Sequence, residues 1–389
     1  MKIPEDGPLE GVKVLDLTRM LPGPFCTVLL ADLGAEVTII EQAGGPNIGP
    51  RRTNFYIDRN KKSLILNLKD ARAKDIFYRL VSNADVVVEG FRPGVTARLK
   101  IDFPTLKEIN NGLVYCSISG YGQDGPYQSR VGHDINYIAL SGLLSLTGKK
   151  DQDPVIPGTQ IADVAGGGLM AANSIVAALF FKEKTGQGQY IDVSMMDSVL
   201  SFNPVTLFEY FSTGEAPQRG AYRLLGSVPC YNIYRTRDDR YITIGALEPK
   251  FWANLCRKLA REDLIAKQYD ASAESLAEVK QIFVSKTSTE WERLLESEDV
   301  CYAPVLNLEE SVRNRQVLHR EMVVERKGPD NTTLKQVGIV PKFSLTPGKI
   351  RIPPPRPGQH THEILRGLGI DQEEISKLEK AEVVKGCPG

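Results

Sequence analysis

The chain has 389 residues, enough for one large or two ordinary domains, and its 48 basic and 48 acidic side chains cancel. That balance gives no basic excess for nucleic acid and no charge block for a tail. Hydrophobic residues make up 42% and charged ones 25%, the mix of a globular protein; no stretch approaches the about 18 apolar residues of a membrane span, and the start, MKIPEDGPLEGVKVLDLTRM, lacks the apolar core of a signal peptide.

In chain order, GVKVLDLTR reads as a short strand, MLPGPFCTVLLADLG as a loop and helix ending at a glycine, and AEVTIIE as a second strand. KSLILNL follows, then a helix in KDARAKDIFYRLVSNA, a strand in DVVVEGF and another in GLVYCSISGYG. Strands alternating with helices predict an α/β fold, a mostly parallel, Rossmann-like sheet whose ligands bind at the carboxyl ends of the strands. No GxGxxG follows the first strand, whose turn reads TRMLPGPF, so a dinucleotide cofactor is not expected. A long helical run begins near Asp163, TGQGQY is a turn, and YIDVSM a further strand. Beyond about residue 220 the texture changes. CYNIYRTRDDRYITIGALEPKFW predicts a hairpin entering a helix, SLAEVKQIFVSKTSTEWERLLES two helices with a Ser/Thr break, and DVCYAPVLNLEE a strand and a helix cap. This is a second, smaller α+β domain. RPGQHTHEILRGLGIDQEEISKL predicts two short helices that dock back on the first domain.

Few residues carry obvious chemistry. The six cysteines are scattered without a CxxC pair, which suits reduced thiols in a cytoplasmic enzyme and supplies no metal site. His360 and His362 sit in a polar stretch and read as surface residues. His133 precedes an apolar run, where it is either a structural capping residue or a base that titrates near neutrality. Asp163 precedes a triple glycine. It is either an N-cap, worth about 1 kcal/mol, or a reactive carboxylate in a place where small residues let a ligand or another backbone approach.

The segments LEGVKVLDLTR, GPFC with LADLGAEV, RNKKSLILNLKD, VEGFRPGV, SGYGQDGPY, GHDINYIALSG, IADVAGGGLM, TGQGQYIDVSM, GALEPKFW and CYAPVL occur in this order over nearly the whole chain. Together they resemble the family III CoA-transferases, the CaiB/BaiF family. The resemblance implies an interlocked homodimer. Its large Rossmann-like domain would comprise residues 1–205 and the tail 326–389, joined through a linker at 206–225 to a small α+β domain at 226–325. It implies an acyl-CoA substrate, coenzyme A being part of that substrate with no permanently bound cofactor or metal, and no nucleic-acid or membrane partner.

Two chemistries occur in such proteins. Transferases use the aspartate before the glycine-rich helix, here Asp163, to form an aspartyl-CoA thioester and pass CoA to a free carboxylic acid. The 2-methylacyl-CoA racemases use it as an acid/base and add a histidine and a glutamate, matched here by His133 and Glu248. Gly90 of EGFRPG also resembles the racemases. Thr159, where racemases carry asparagine, Gln42, where they carry arginine, and GSVPC, where they read DGGAP, depart from them. Inverting a carbon beside a thioester needs a base on one face and an acid on the other, which His133 and a buried Asp163 can supply, with Glu248 orienting His133. Racemase comes first, CoA-transferase second, and a non-catalytic acyl-CoA-binding subunit third. Arg98 matches a position that contacts CoA in the family. Arg92, Arg59, Lys61 and Lys62 are further cations for its phosphates, and Gly90, Phe91 and Tyr137 complete the expected binding set.

Overall fold

The computed structural model describes residues 3–42, 57–327 and 333–387; of the expected linker and tail, 328–332 and 388–389 lie outside them. Twelve strands lie among the described residues. They are β1 Lys13–Asp16, β2 Glu36–Glu41, β3 Lys61–Leu66, β4 Val86–Glu89, β5 Val114–Ser119, β6 Tyr190–Ser194, β7 Tyr231–Arg235, β8 Tyr241–Gly245, β9 Tyr302–Pro304, β10 Val323–Lys327, β11 Thr333–Val337 and β12 Val384–Lys385. Seven make one sheet in the order β12-β3-β2-β1-β4-β5-β6, parallel except for β12, which pairs antiparallel with β3. Val86, Val87 and Val88 of β4 are all fully buried, the continuous apolar run of a strand covered on both faces. The chain is thus mixed α/β with a mostly parallel sheet.

The chain forms two compact units. The first takes Met1–Ser141, Gly158–Phe202 and His319–Gly389, the second Gly142–Pro157 and Asn203–Leu318. The second therefore includes a stretch that sequence reading places in the first. Within it, Arg219 donates to the carbonyls of Ser145 (3.1 Å) and Gln152, tying the early stretch to the later one, and Val155 N–H donates to Thr147 O at 3.0 Å, closing the early stretch on itself. The core of the second unit packs Tyr234 on Phe283, with centroids 4.5 Å apart, and Phe283 against Trp291. The indoles of Trp252 and Trp291 donate to Leu264 O and Phe283 O, both at 2.8 Å, so the largest apolar side chains bury no unpaired polar atom.

In the first unit the tail packs into the core. Leu365, Ile375, Leu378, Val383 and Val384 join the core made by Leu64, Phe77 and Tyr115. His360 and His362 are not free surface residues. His360 Nδ1 accepts from Ser63 N–H at 3.1 Å and is pushed down by burial, while His362 Nε2 lies 2.8 Å from Glu379. The run Ala162–Thr185 gives a 24-residue helix with an 18-residue window of mean hydropathy 1.8, so one described helix is long and apolar enough to cross a membrane, contrary to the reading of the bare sequence. One side of it packs inward, where Ala171, Ala172, Ile175 and Ala178 are buried and its glycines touch the helix Pro22–Asp32, while Leu169, Val176, Phe180 and Phe181 are exposed.

Candidate active site

His133 is the N-cap residue of the helix Asp134–Leu140. Its backbone N–H donates to Asn136 Oδ1 at 3.0 Å, while its side chain is exposed. Asn136 N–H in turn donates to His133 O at 2.8 Å, so the backbone and Asn136 both contribute to the cap. Tyr137, expected among the ligand contacts, is instead buried beneath this turn. Its hydroxyl donates to Gly132 O at 2.5 Å and its ring crosses Tyr121 edge-on at 5.1 Å. Gly120 and Gly132 lie flat against that ring, because a Cβ on either would fall 2.3 Å or 2.8 Å from it. Tyr137 therefore shapes the site from below.

Asp163 is not an N-cap. It lies in the first turn of Ala162–Leu169, which is a π-helix rather than the expected start of an ordinary α-helix, and Met170 N–H reaches back five residues to Ala165 O. π-turns are rare and concentrate at functional sites. The triple glycine explains the close fit here. A Cβ on Gly167 would meet Pro22 Cβ at 2.8 Å, and one on Gly168 would meet Phe25 Cδ1 at 2.8 Å and Pro22 O at 2.9 Å. The small residues thus admit a neighbouring backbone. The amides at this helix start are spent internally: Asp163 N–H donates to Asp134 Oδ1 at 3.0 Å and Val164 N–H to Gln160 O at 2.9 Å.

Asp134 is the residue that sequence reading passed over. It accepts the Asp163 amide, and its negative charge acts on the Asp163 carboxyl. Burial first, then Asp134, push Asp163 up to about 6, while His133 pulls it down. His133, Asp134 and Asp163 thus form one electrostatic cluster on the first unit, with Asp163 half-buried. The GHD triplet was the available signal for Asp134.

The strand order reverses between β1 and β4, so the crevice at a doubly wound sheet's switch point lies at Asp16 and Glu89. Gly90, Phe91 and Arg92 follow β4 directly, Phe91 half-buried and Gly90 and Arg92 exposed. Arg98 is exposed on the short helix Val95–Leu99, its Nη1 3.6 Å from where a Cβ on Gly94 would stand. Arg19, another residue missed, follows β1, sits 5.9 Å over the Phe91 ring and donates to Gln42 Oε1 at 3.0 Å. It was legible only as the arginine of LDLTR.

The remaining cations are placed otherwise. Arg59, Lys61 and Lys62 stand at the amino end of β3, and the buried Lys61 side chain runs toward Asp16 at the end of β1. Arg59 is 3% exposed and makes a two-point ion pair with Asp32, at 3.0 and 2.6 Å, and donates to Val337 O. Lys61 is fully buried, donating to Pro24 O at 3.0 Å and Thr27 Oγ1 at 2.8 Å with Asp16 3.6 Å away. Lys62 pairs with Glu363 at 2.7 Å. The first two hold the fold, because a buried cation needs its partners where it lies. A cavity of about 540 Å³ opens at the amino ends of β1–β3, lined by Leu15, Val37, Leu80 and Arg351; of the expected site residues it includes Lys62 alone. Glu248 belongs to the second unit. It is the exposed N-cap residue of Pro249–Lys258, and its carboxylate accepts no hydrogen bond among the described residues. Also among the described residues, no three His, Cys, Asp or Glu side chains group so as to hold a metal ion.

Residues 9–361 match CoA-transferase family III, and the chain belongs to that family. Human alpha-methylacyl-CoA racemase is 35% identical over 386 residues, covering 97% of each chain. Human succinyl-CoA:glutarate CoA-transferase is 35% identical over 397 residues, covering 97% of this chain and 90% of the relative. The crystal structure of a CaiB/BaiF family protein from Brucella suis superposes with a TM-score of 0.80 at 26% identity, over 94% of this chain and all of that one.

Proposed function

We propose that the chain is an acyl-CoA racemase that inverts the carbon next to the thioester of a 2-methyl-branched acyl group. The observation that carries this reading is the coupling of Asp163 to His133, with the aspartate pushed up to about 6. A carboxyl of that pKa is protonated about one time in ten at pH 7, so it can both take and return a proton. Imidazole is the other side chain that exchanges protons near neutrality. One group removes the α-proton, the carbonyl carries the resulting charge as an enolate, and the conjugate acid of the other delivers a proton to the opposite face. Glu248 is proposed as the carboxylate that steadies the imidazolium, Arg92, Arg98 and Arg19 as the cations for CoA phosphates, and the working species as a homodimer.

A CoA-transferase is the second reading, favoured by the equal identity to the succinyl-CoA:glutarate enzyme. Asp163 would then attack the thioester carbon and expel the CoA thiolate, giving a mixed anhydride; the thiolate attacks its aspartyl carbonyl and releases the first acid, leaving an aspartyl-CoA thioester, and an acceptor carboxylate takes the CoA by the same steps in reverse. The two are separated by incubating the enzyme with a 2-methylacyl-CoA in D₂O, with and without a free acid, alongside His133→Ala. Racemisation predicts deuterium at the α-carbon without any acid, a loss of at least about 100-fold in His133→Ala, and no species trapped by hydroxylamine. Trapping at Asp163 with turnover retained in His133→Ala would replace it with the transferase.

A further inference from the structure

We infer that Glu89, which no substrate atom need touch, is a positioning residue that holds the coenzyme-A-binding turn in place; the inference rests on the CoA-thioester reading above. Glu89 ends β4 at the switch point and is 2% exposed. Both of its oxygens are committed. Oε1 accepts from the Ser117 hydroxyl on β5, and Oε2 accepts from Phe91 N–H at 2.7 Å. The second bond reaches directly into the turn Gly90–Phe91–Arg92. Phe91 in turn carries the Arg19 guanidinium 5.9 Å over its ring. One buried carboxyl thus fixes, through a single backbone amide, the aromatic ring and the arginine that flank the crevice.

A carboxyl is a costly choice for this task, because no cation among the described residues faces it. Its titratable neighbours are Tyr115 and Cys116 on β5 and Tyr190 and Asp192 on β6. Burial and Asp192 push Glu89 up to about 7, while the Ser117 and Phe91 bonds pull it down. The carboxyl therefore changes charge across neutrality. When ionised it accepts both hydrogen bonds as charge-assisted ones, about twice as strong as neutral ones. When protonated it spends one oxygen as a donor and holds the Phe91 amide less firmly. The direct effect of its charge on solvated phosphates is screened over a Debye length, whereas the bond to the turn is not. Ionisation should tighten the turn, and with it the grip on CoA.

The test is calorimetric titration of the full-length protein with free coenzyme A from pH 6 to pH 8. Wild type should bind about fivefold more tightly at pH 8 than at pH 6, beyond whatever change Glu89→Gln shows. Glu89→Gln is the reference because the CoA phosphate titrates in the same range in both proteins. Ser117→Ala removes a bond that favours the charged form, so it should move the midpoint to higher pH; it serves alone if Glu89→Gln does not fold. A wild-type profile in Glu89→Gln, or an unmoved midpoint in Ser117→Ala, would overturn the inference. Folded wild type that binds no coenzyme A at any pH would overturn the CoA reading, and the inference with it.

Discussion

Asp163 is held in a state that folding itself disfavours. Its carboxyl is raised from an ordinary value of 3.8 to about 6, by burial and then by Asp134. A group raised in this way contributes its full stability below the unfolded value and loses it as pH climbs through the folded one. Asp163→Asn should therefore match wild type in thermal unfolding near pH 4 and unfold at a higher temperature than wild type at pH 8, while losing activity. Equal melting temperatures at pH 8 would mean that the carboxylate is not strained in the folded protein. Asp134 is the adjustable part of the arrangement. Asp134→Asn can still accept the Asp163 amide through Oδ1 but carries no charge. The acid limb of kcat/KM against pH should then move to lower pH, toward the ordinary carboxylate range, with the fold unchanged. An unmoved limb would remove Asp134 from the electrostatics of the site.

At the scale of elements, the π-helix Ala162–Leu169 and the helix Pro22–Asp32 meet with no room between them. Gly168→Ala would put a methyl 2.9 Å from the Pro22 carbonyl oxygen and 2.8 Å from the Phe25 ring. A backbone atom cannot swing aside as a side chain tip can, so a destabilisation of about 1–3 kcal/mol is expected, read as a lower denaturation midpoint together with reduced activity. A neutral substitution would show that the helix start can reopen. These elements also mark what was legible in the sequence. Periodicity and turn residues located β1, β2 and the hairpin β7–β8, because apolar alternation and a glycine stop are local properties. The GHD and IADVAGGG motifs located His133 and Asp163 for the same reason. The π-turn was not legible, since nothing in AGGG separates a π-register from an α-register, and the atoms packed on those glycines belong to Pro22, Phe25 and Met195, which lie elsewhere in the chain. Nor were the fates of Arg59 and Lys61. A cation in RNKK reads as solvated until Asp32 and Asp16 are brought beside it by folding.

At the scale of the whole molecule, the first unit is assembled from three separated stretches, and the last is structural. Leu365, Ile375, Leu378 and Val383 are buried at 3% exposure or less in the same core as Phe77. Truncation after Pro355 would remove all four, together with β12, and expose the apolar surface they cover. Each fully buried side chain of this size is worth about 1.5–3 kcal/mol, so the loss is comparable with the entire stability of a domain. The truncated chain is expected to be insoluble, or to lose cooperative unfolding monitored by circular dichroism. A soluble, cooperatively folding product would make the tail an accessory.

The antiparallel pairing of Val384 with Leu66 has a consequence in time. Ribosomes add roughly 5–20 residues per second, so a strand made early waits on the order of tens of seconds for a neighbour made almost last. During that interval the outer hydrogen-bonding row of β3 is open, and Leu64 and Leu66 beside it lack part of the cover that the tail later supplies. The nascent chain therefore carries its greatest aggregation hazard before termination rather than after release. Its yield in a cell should depend on holdase chaperones acting on the unfinished chain more than on the thermodynamic stability of the finished one.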